Sequence, residues 1–301
     1  MQKVPDFEKG QAIKKFRRQD FMEIFKLGDD ILALLEMVLG FWNNQINLVF
    51  SLLGQSPVPF KGGRPWAVVE GLLPLFVGVG SGLVVLFFVI GFCAESVDIK
   101  SEFRFEAMLR MLIRLGIAQW LVANNLTILK AFFSSIGAMV SHLGSATMAQ
   151  ASIGAGEAEI IENLSFATSL VFLILSVILS LIILICGFFI IYTVYFRFLE
   201  IMVIVPLAAI AFTTLAGNRM VSATCVRYFK YFLSVVMEAV TMALEILICN
   251  AFISAGRPSF TGGYADWAQV LIYLCEITFT IALTVGACKG AQSLTGRALG
   301  L

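Results

Sequence analysis

Glu238, Glu245 and Glu276 stand inside apolar runs, and Arg110 and Arg114 stand at the head of another. Ionisable side chains at membrane depth are expensive, and a functional role is the first hypothesis for them. Glu238 and Glu245 are seven residues apart, two helical turns, and so share one face. Arg110 and Arg114 are four apart and share a face in the same way. Two chemistries fit this set. The glutamates line an ion or proton path, or they pair with the arginines, or are protonated, and tie helices together, since buried charges find partners. A lumen lined by three carboxylates would repel a polyanion such as DNA. In a protein that handles DNA, these side chains must be neutralised or face helix contacts.

Little else in the chain suggests chemistry. There is no G-x-x-x-x-G-K-[ST], no H-E-x-x-H and no G-x-S-x-G, so no motif points to catalysis and no catalytic residue is assigned. His142 is the only histidine. The six cysteines, Cys93, Cys186, Cys225, Cys249, Cys275 and Cys288, form no C-x-x-C and most lie in apolar runs. They read as small buried apolar residues. No metal, cofactor or disulfide framework is expected.

The elements that must position these residues are membrane helices. Of 301 residues, 59% are hydrophobic and 14% charged, with net charge +1, where a soluble domain carries about 25% charged residues. Such a balance gives no basic surface for general nucleic-acid binding. Residues 1–30 mix Lys14, Lys15, Arg17 and Arg18 with acidic residues and lack an apolar core. They do not read as a signal peptide, so insertion is expected to use an uncleaved internal segment.

About 20 apolar residues make a spanning helix. Five to six candidate spans follow, at about 72–94, 107–142, 164–196, 201–218, 231–255 and 268–288. The first contains Gly78 and Gly82 at the G-x-x-x-G spacing that lets helices pack closely. In the second, Asn124, Asn125 and Lys130 interrupt the run, which fits one long tilted helix or a hairpin. Leu164 to Phe196 is 33 residues without a charge. As one helix it is about 50 Å long, beyond the roughly 30 Å hydrocarbon core. Arg197 and Glu200 then mark a membrane surface. Ile201 to Asn218 holds Pro206 and either spans or re-enters. Arg219, Arg227 and Lys230 form a basic linker, and Trp267 is a plausible interfacial anchor.

Residues 31–53 differ, because Glu36, Trp42, Asn43, Asn44, Gln45 and Asn47 break the apolar pattern. They read as an amphipathic helix lying at the interface. The expected fold is all-α: a polytopic transmembrane helical bundle with an N-terminal amphipathic interfacial helix. An N-terminal region, 1–66, precedes a transmembrane domain, 67–301. The loop 143–163 holds Glu157, Glu159 and Glu162 but no Lys or Arg, which places it outside the cytoplasm by the positive-inside rule. Six crossings would put this loop and the basic linker on one side, against their charges. A re-entrant 201–218 removes the conflict and gives five.

The order of these features carries a resemblance. The stretch Phe41-Trp-Asn-Asn-Gln-Ile-Asn47 leads to a Gly/Pro loop with Pro65-Trp66 and a span beginning Leu72-Leu-Pro-Leu75. A charged loop, Glu95 to Glu106, precedes Met108-Leu-Arg-Met-Leu-Ile-Arg114 and a polar outer loop. Tyr195-Phe-Arg-Phe-Leu-Glu-Ile201 then runs into Val205-Pro-Leu-Ala209. Over about residues 20–290 this layout resembles the TrbL-type polytopic channel components of type IV secretion systems, in particular those of Gram-positive conjugative elements. The resemblance implies a subunit of the cytoplasmic membrane that helps pass a DNA strand and its attached relaxase. It implies partners: secretion ATPase, coupling ATPase, bitopic channel subunits and membrane lipid, with the chain an oligomer within that complex. It carries over no active-site residue. The long polar C-terminal extension of some relatives is missing, which puts tail-mediated contacts in doubt.

Two other readings stay open. One is an ion- or proton-coupled small-solute transporter using Glu238, Glu245 and Glu276, although no internal repeat of the kind many transporters show is visible. The other is a membrane assembly factor with no lumen.

Overall fold

Backbone N–H and C=O groups in lipid must find partners within the chain, which leaves helices or closed barrels. The computed structural model uses helices, and no strand occurs among the described residues. It describes residues 27–98, 105–144, 150–217, 219–254 and 265–301. Outside these lie the N-terminal residues read for a signal peptide, the middle of the charged loop Glu95 to Glu106, and most of the Gly/Ser/Pro-rich loop 256–267.

The helices are α1 (Leu27–Leu53), α2 (Arg64–Asp98), α3 (Phe105–Ala123), α4 (Asn125–Gly144), α5 (Ala155–Glu162), α6 (Phe166–Thr213), α7 (Arg219–Ser254) and α8 (Asp266–Ala298). Short 3-10 turns occupy Phe60–Gly63 and Thr214–Ala216. Five helical stretches are long and apolar enough to cross a membrane: Phe60–Ala94, Asn125–Gly144, Phe166–Ala216, Val221–Phe252 and Asp266–Ala298.

Several boundaries differ from the sequence-based expectation. Most of the runs 164–196 and 201–218 lies in one helix, α6, of 48 residues ending at Thr213. Pro206 does not end it. A proline removes one helical hydrogen bond, and close by the Tyr228 hydroxyl donates to the Ile204 carbonyl at 2.8 Å, tying α7 to this part of α6. The region 107–142 is two helices parted at Asn124 alone. Helical bonds flank the break, Asn124 N–H to Trp120 O at 3.0 Å and Ile128 N–H to Asn124 O at 3.2 Å. A helical hairpin needs a connection of about 2–5 residues, so the segment continues through an interruption. The basic linker is not a linker, because Arg227 and Lys230 lie inside α7. The acidic loop 143–163 contains the helix α5.

The chain divides into two compact units, and the boundary falls inside α1, α6, α7 and α8. The first comprises the described parts of Met1–Asn44, Ala149–Gly187 and Ala251–Ala282. Its core joins Ile31, Leu32 and Leu35 of α1 to Ile161, Phe172, Leu179, Val270 and Leu274. Ile31, Leu35, Leu39, Trp42, Ile46, Val49 and Leu53 form a buried stripe along α1 at the three- and four-residue spacing of one helix face. The protein itself covers that stripe, where an interfacial helix would press it into lipid. Gly28 permits the approach: a Cβ there would sit 2.9 Å from the Glu162 Cα and from the Ile161 carbonyl. Asn43 adds a two-point clamp, donating from Nδ2 to Ala151 O at 2.9 Å and accepting from Ala151 N–H at 3.0 Å.

The second unit comprises Gln45–Met148, Phe188–Asn250 and Leu283–Leu301. Two groups of ring contacts lie in it: Phe60 with Tyr195 and Phe198, and a series from Trp66 through Phe133, Phe232 and Tyr228 to Phe212. Gly80 lets α2 approach α6 closely, since a Cβ there would meet the Ala209 carbonyl at 3.1 Å and Val122 at 3.2 Å.

Losing both Asn43 bonds costs about 1–3 kcal/mol at about 1 kcal/mol each or more. In Asn43→Leu the amides of residues 150–154 should therefore exchange with deuterium roughly ten- to a hundredfold faster, Ala151 foremost. Unchanged exchange would show that the clamp holds nothing.

Candidate functional site

Along α7, Tyr231, Ser234, Glu238, Thr241 and Glu245 recur at intervals of three and four. That spacing puts a polar stripe down one face of an otherwise apolar helix. Within the second unit the stripe meets polar groups of α6 and α8.

Arg197 of α6 is 3% exposed. Its Nε and Nη2 donate to the Val235 and Val236 carbonyls, both at 3.4 Å. Each carbonyl has two lone pairs and can accept this bond beside its helical one. The guanidinium also attracts the Glu238 carboxylate, one turn further along α7, and Glu238 is 5% exposed. Arg197, read from the sequence as marking a membrane surface, is buried within the protein, where its charge is drawn toward two carbonyls and a carboxylate.

Glu200, three residues on, accepts from the Tyr231 hydroxyl at 2.5 Å and from Gln292 Nε2 at 2.6 Å. One carboxylate oxygen thereby joins α6, α7 and α8. Two turns beyond Tyr231 and Ser234, the hydroxyls of Thr241 and Thr295 meet at 2.8 Å. Glu245 is half-buried, and neither of its carboxylate oxygens has a hydrogen-bond partner. Cys288 of α8 lies within electrostatic reach of it.

The other expected residues fall elsewhere. Arg110 and Arg114 are exposed on α3, and the cation that Glu238 meets is Arg197 in their place. Glu276 belongs to the first unit, half-buried, with Oε2 unpartnered. Gly78 and Gly82 face open space within this chain, and the close contact falls on Gly80 between them. Cys186, Cys225, Cys249 and Cys288 are buried as expected, whereas Cys93 and Cys275 are exposed. Among the described residues, no three His, Cys, Asp or Glu side chains are grouped to hold a metal ion.

Two further polar features escaped the sequence reading. Lys130 of α4 meets Glu70 of α2 at 2.8 Å, and Trp66 Nε1 donates to the same oxygen at 2.8 Å. Gln292 and Thr295 were legible only as polar residues beyond the last span, because the apolar run stops at Cys288 while the helix continues.

The arrangement cross-links helices. Removing Arg197 alone, as in Arg197→Met, leaves Glu238 buried without its cation and should destabilise the protein by about 3–5 kcal/mol. The double variant Arg197→Met with Glu238→Leu should recover most of that loss in thermal unfolding in detergent. A double variant no more stable than Arg197→Met would refute the coupling.

Residues 83–209 match the family model described as TrbL/VirB6 plasmid conjugal transfer like protein. That stretch runs from α2 through most of α6 and includes Arg197 and Glu200, while the α7 stripe lies beyond it. No curated protein and no solved structure matches the chain. With its five long apolar helices, the chain is a multi-pass membrane protein, similar over residues 83–209 to the TrbL/VirB6 plasmid conjugal transfer proteins.

Proposed function

We propose that the chain is a channel or scaffold subunit of a type IV secretion apparatus that helps pass a DNA strand with its bound relaxase across the cell membrane. The observation that carries this reading is the family match over residues 83–209. The housing of the charges supports it. A DNA path lined with carboxylates would be repulsive, and here Glu238 is buried and attracted by the Arg197 charge while Glu200 is held by Tyr231 and Gln292. These groups tie helices together and leave the path free of them. The partners are then the secretion ATPase, the coupling ATPase and the bitopic channel subunits.

One observation favours the alternative, an ion- or proton-coupled transporter. Glu245 presents two carboxylate oxygens that no protein group satisfies, as a coupling site would.

Two experiments separate the readings. Glu245→Gln keeps the size and removes the charge. A structural role should leave conjugal transfer within about twofold of the parent, the effect of a change near 0.5 kcal/mol. Coupled transport should be abolished by the same change. Affinity purification of the tagged protein from its native host in mild detergent should bring down a secretion ATPase and other channel subunits, detected by mass spectrometry. A clean homo-oligomer with no such subunits would overturn the channel-component reading.

A further inference from the structure

Within the second unit a groove of about 940 Å³ opens between the start of α2 and the later part of α6. Its walls are almost wholly apolar and include Phe60, Leu72, Phe76, Tyr195, Val203 and Leu207. That volume lies near the top of the roughly 300–1,000 Å³ range of small-molecule sites. Proline residues frame it, Pro65 on α2 and Pro206 on α6.

Two cations adjoin lining residues in sequence, Lys61 beside Phe60 and Arg64 beside Pro65. The turn Phe60–Gly63 supplies Phe60 to the wall, where it stacks on Phe198 with ring centroids 4.1 Å apart. Lys61 follows with φ 51° and is the one non-glycine residue of positive φ among those described. Backbone outliers of this kind persist where the surroundings enforce them, and they cluster at ligand clamps. Its ammonium sits 5.1 Å from the centre of the Tyr195 ring, itself a groove wall. Arg64 is exposed and directly precedes Pro65. Among the described residues neither cation has a carboxylate partner. Glu70, the nearest acid in sequence, is taken by Lys130 and Trp66.

We propose that this groove holds an acyl chain of an anionic phospholipid of the bilayer, whose phosphate is met by Lys61 and Arg64. The occupant follows from three features together. The groove flanks a stretch, Phe60–Ala94, that is apolar enough to span a membrane, so hydrocarbon is its surrounding solvent. Apart from Tyr192 and Tyr195, its lining residues carry no polar side-chain group. The two cations stand where that apolar stretch begins, the level at which lipid headgroups meet a spanning helix.

The test uses the full chain reconstituted in nanodiscs with a phosphatidylglycerol bearing a diazirine on its acyl chain. Photolysis and peptide mass spectrometry should place adducts on residues 68–76 and 195–207. In the variant Lys61→Gln with Arg64→Gln this labelling should fall roughly fivefold for each cation removed, the attraction one basic residue gains from anionic lipid. A phosphatidylcholine probe should be indifferent to that variant. Val203→Trp, which fills the groove, should abolish labelling with both probes. Should that variant not fold, the exposed Lys61 and Arg64 changes still decide the matter. Labelling spread evenly over exposed faces such as 170–182, or groove labelling insensitive to the two cations, would overturn the proposal. So would a groove left unlabelled while those faces react, since a protein helix would then occupy it.

Discussion

Taking a guanidinium out of water costs several kcal/mol unless its donors and its charge are met. At Arg197 two donors are met by the Val235 and Val236 carbonyls and the charge by attraction to the Glu238 carboxylate, while Nη1 has no hydrogen-bond partner among the described residues. This fixes more than one side chain. It sets the rotation and register of α6 against α7, because the two carbonyls and Glu238 must all face the same point. The neighbouring contacts follow that register. Glu200 can then reach Tyr231 and Gln292, Tyr228 can reach the Ile204 carbonyl, and Thr241 can meet Thr295. Apolar packing alone specifies such a register weakly, because one apolar ridge resembles the next. A buried ionic group retained for specificity is a hypothesis that has to be made for each protein, and here the surrounding polar bonds supply the reason to make it.

Much of the architecture was legible in the sequence because length and apolarity are one-dimensional quantities. Runs of 20 or more apolar residues gave helices at nearly all the expected places. What failed was the reading of interruptions. Arg197 and Glu200 read as the end of a span, since a sequence shows a charge but not the direction in which it points. Pro206 left open whether its segment spans or re-enters, since its cost was visible and the Tyr228 contact beside it was not. Asn124 left a choice between a bent helix and a hairpin that only backbone bonding resolves. At the glycines the close contact within the chain falls on Gly80, while Gly78 and Gly82 face open space.

The candidate site was half legible. Glu238 and Glu245 stood out because two charges at a seven-residue interval in an apolar run have few innocent explanations. Tyr231, Ser234 and Thr241 share their face at intervals of three and four, so the whole α7 stripe was available to periodicity analysis. The partners on α6 and α8 were not, because they are distant in sequence and nothing local links them. The same limit applied to α1. Its stripe was read correctly as amphipathic, yet pattern alone does not distinguish a face covered by lipid from one covered by Ile161, Phe172 and Val270.

The length of α6 bears on how the protein is held along the membrane normal. From Phe166 to Phe196 it offers 31 consecutive uncharged residues, and the hydrocarbon needs about 20 of them. The helix can therefore shift axially by roughly 15 Å at 1.5 Å per residue without drawing a charge into lipid. Over that range the bilayer exerts almost no restoring force on it, unlike a span whose charged ends act as stops at both surfaces. Its depth is then dictated by the helices it is bonded to, since the contacts of Arg197, Glu200 and Ile204 hold it to α7 and α8.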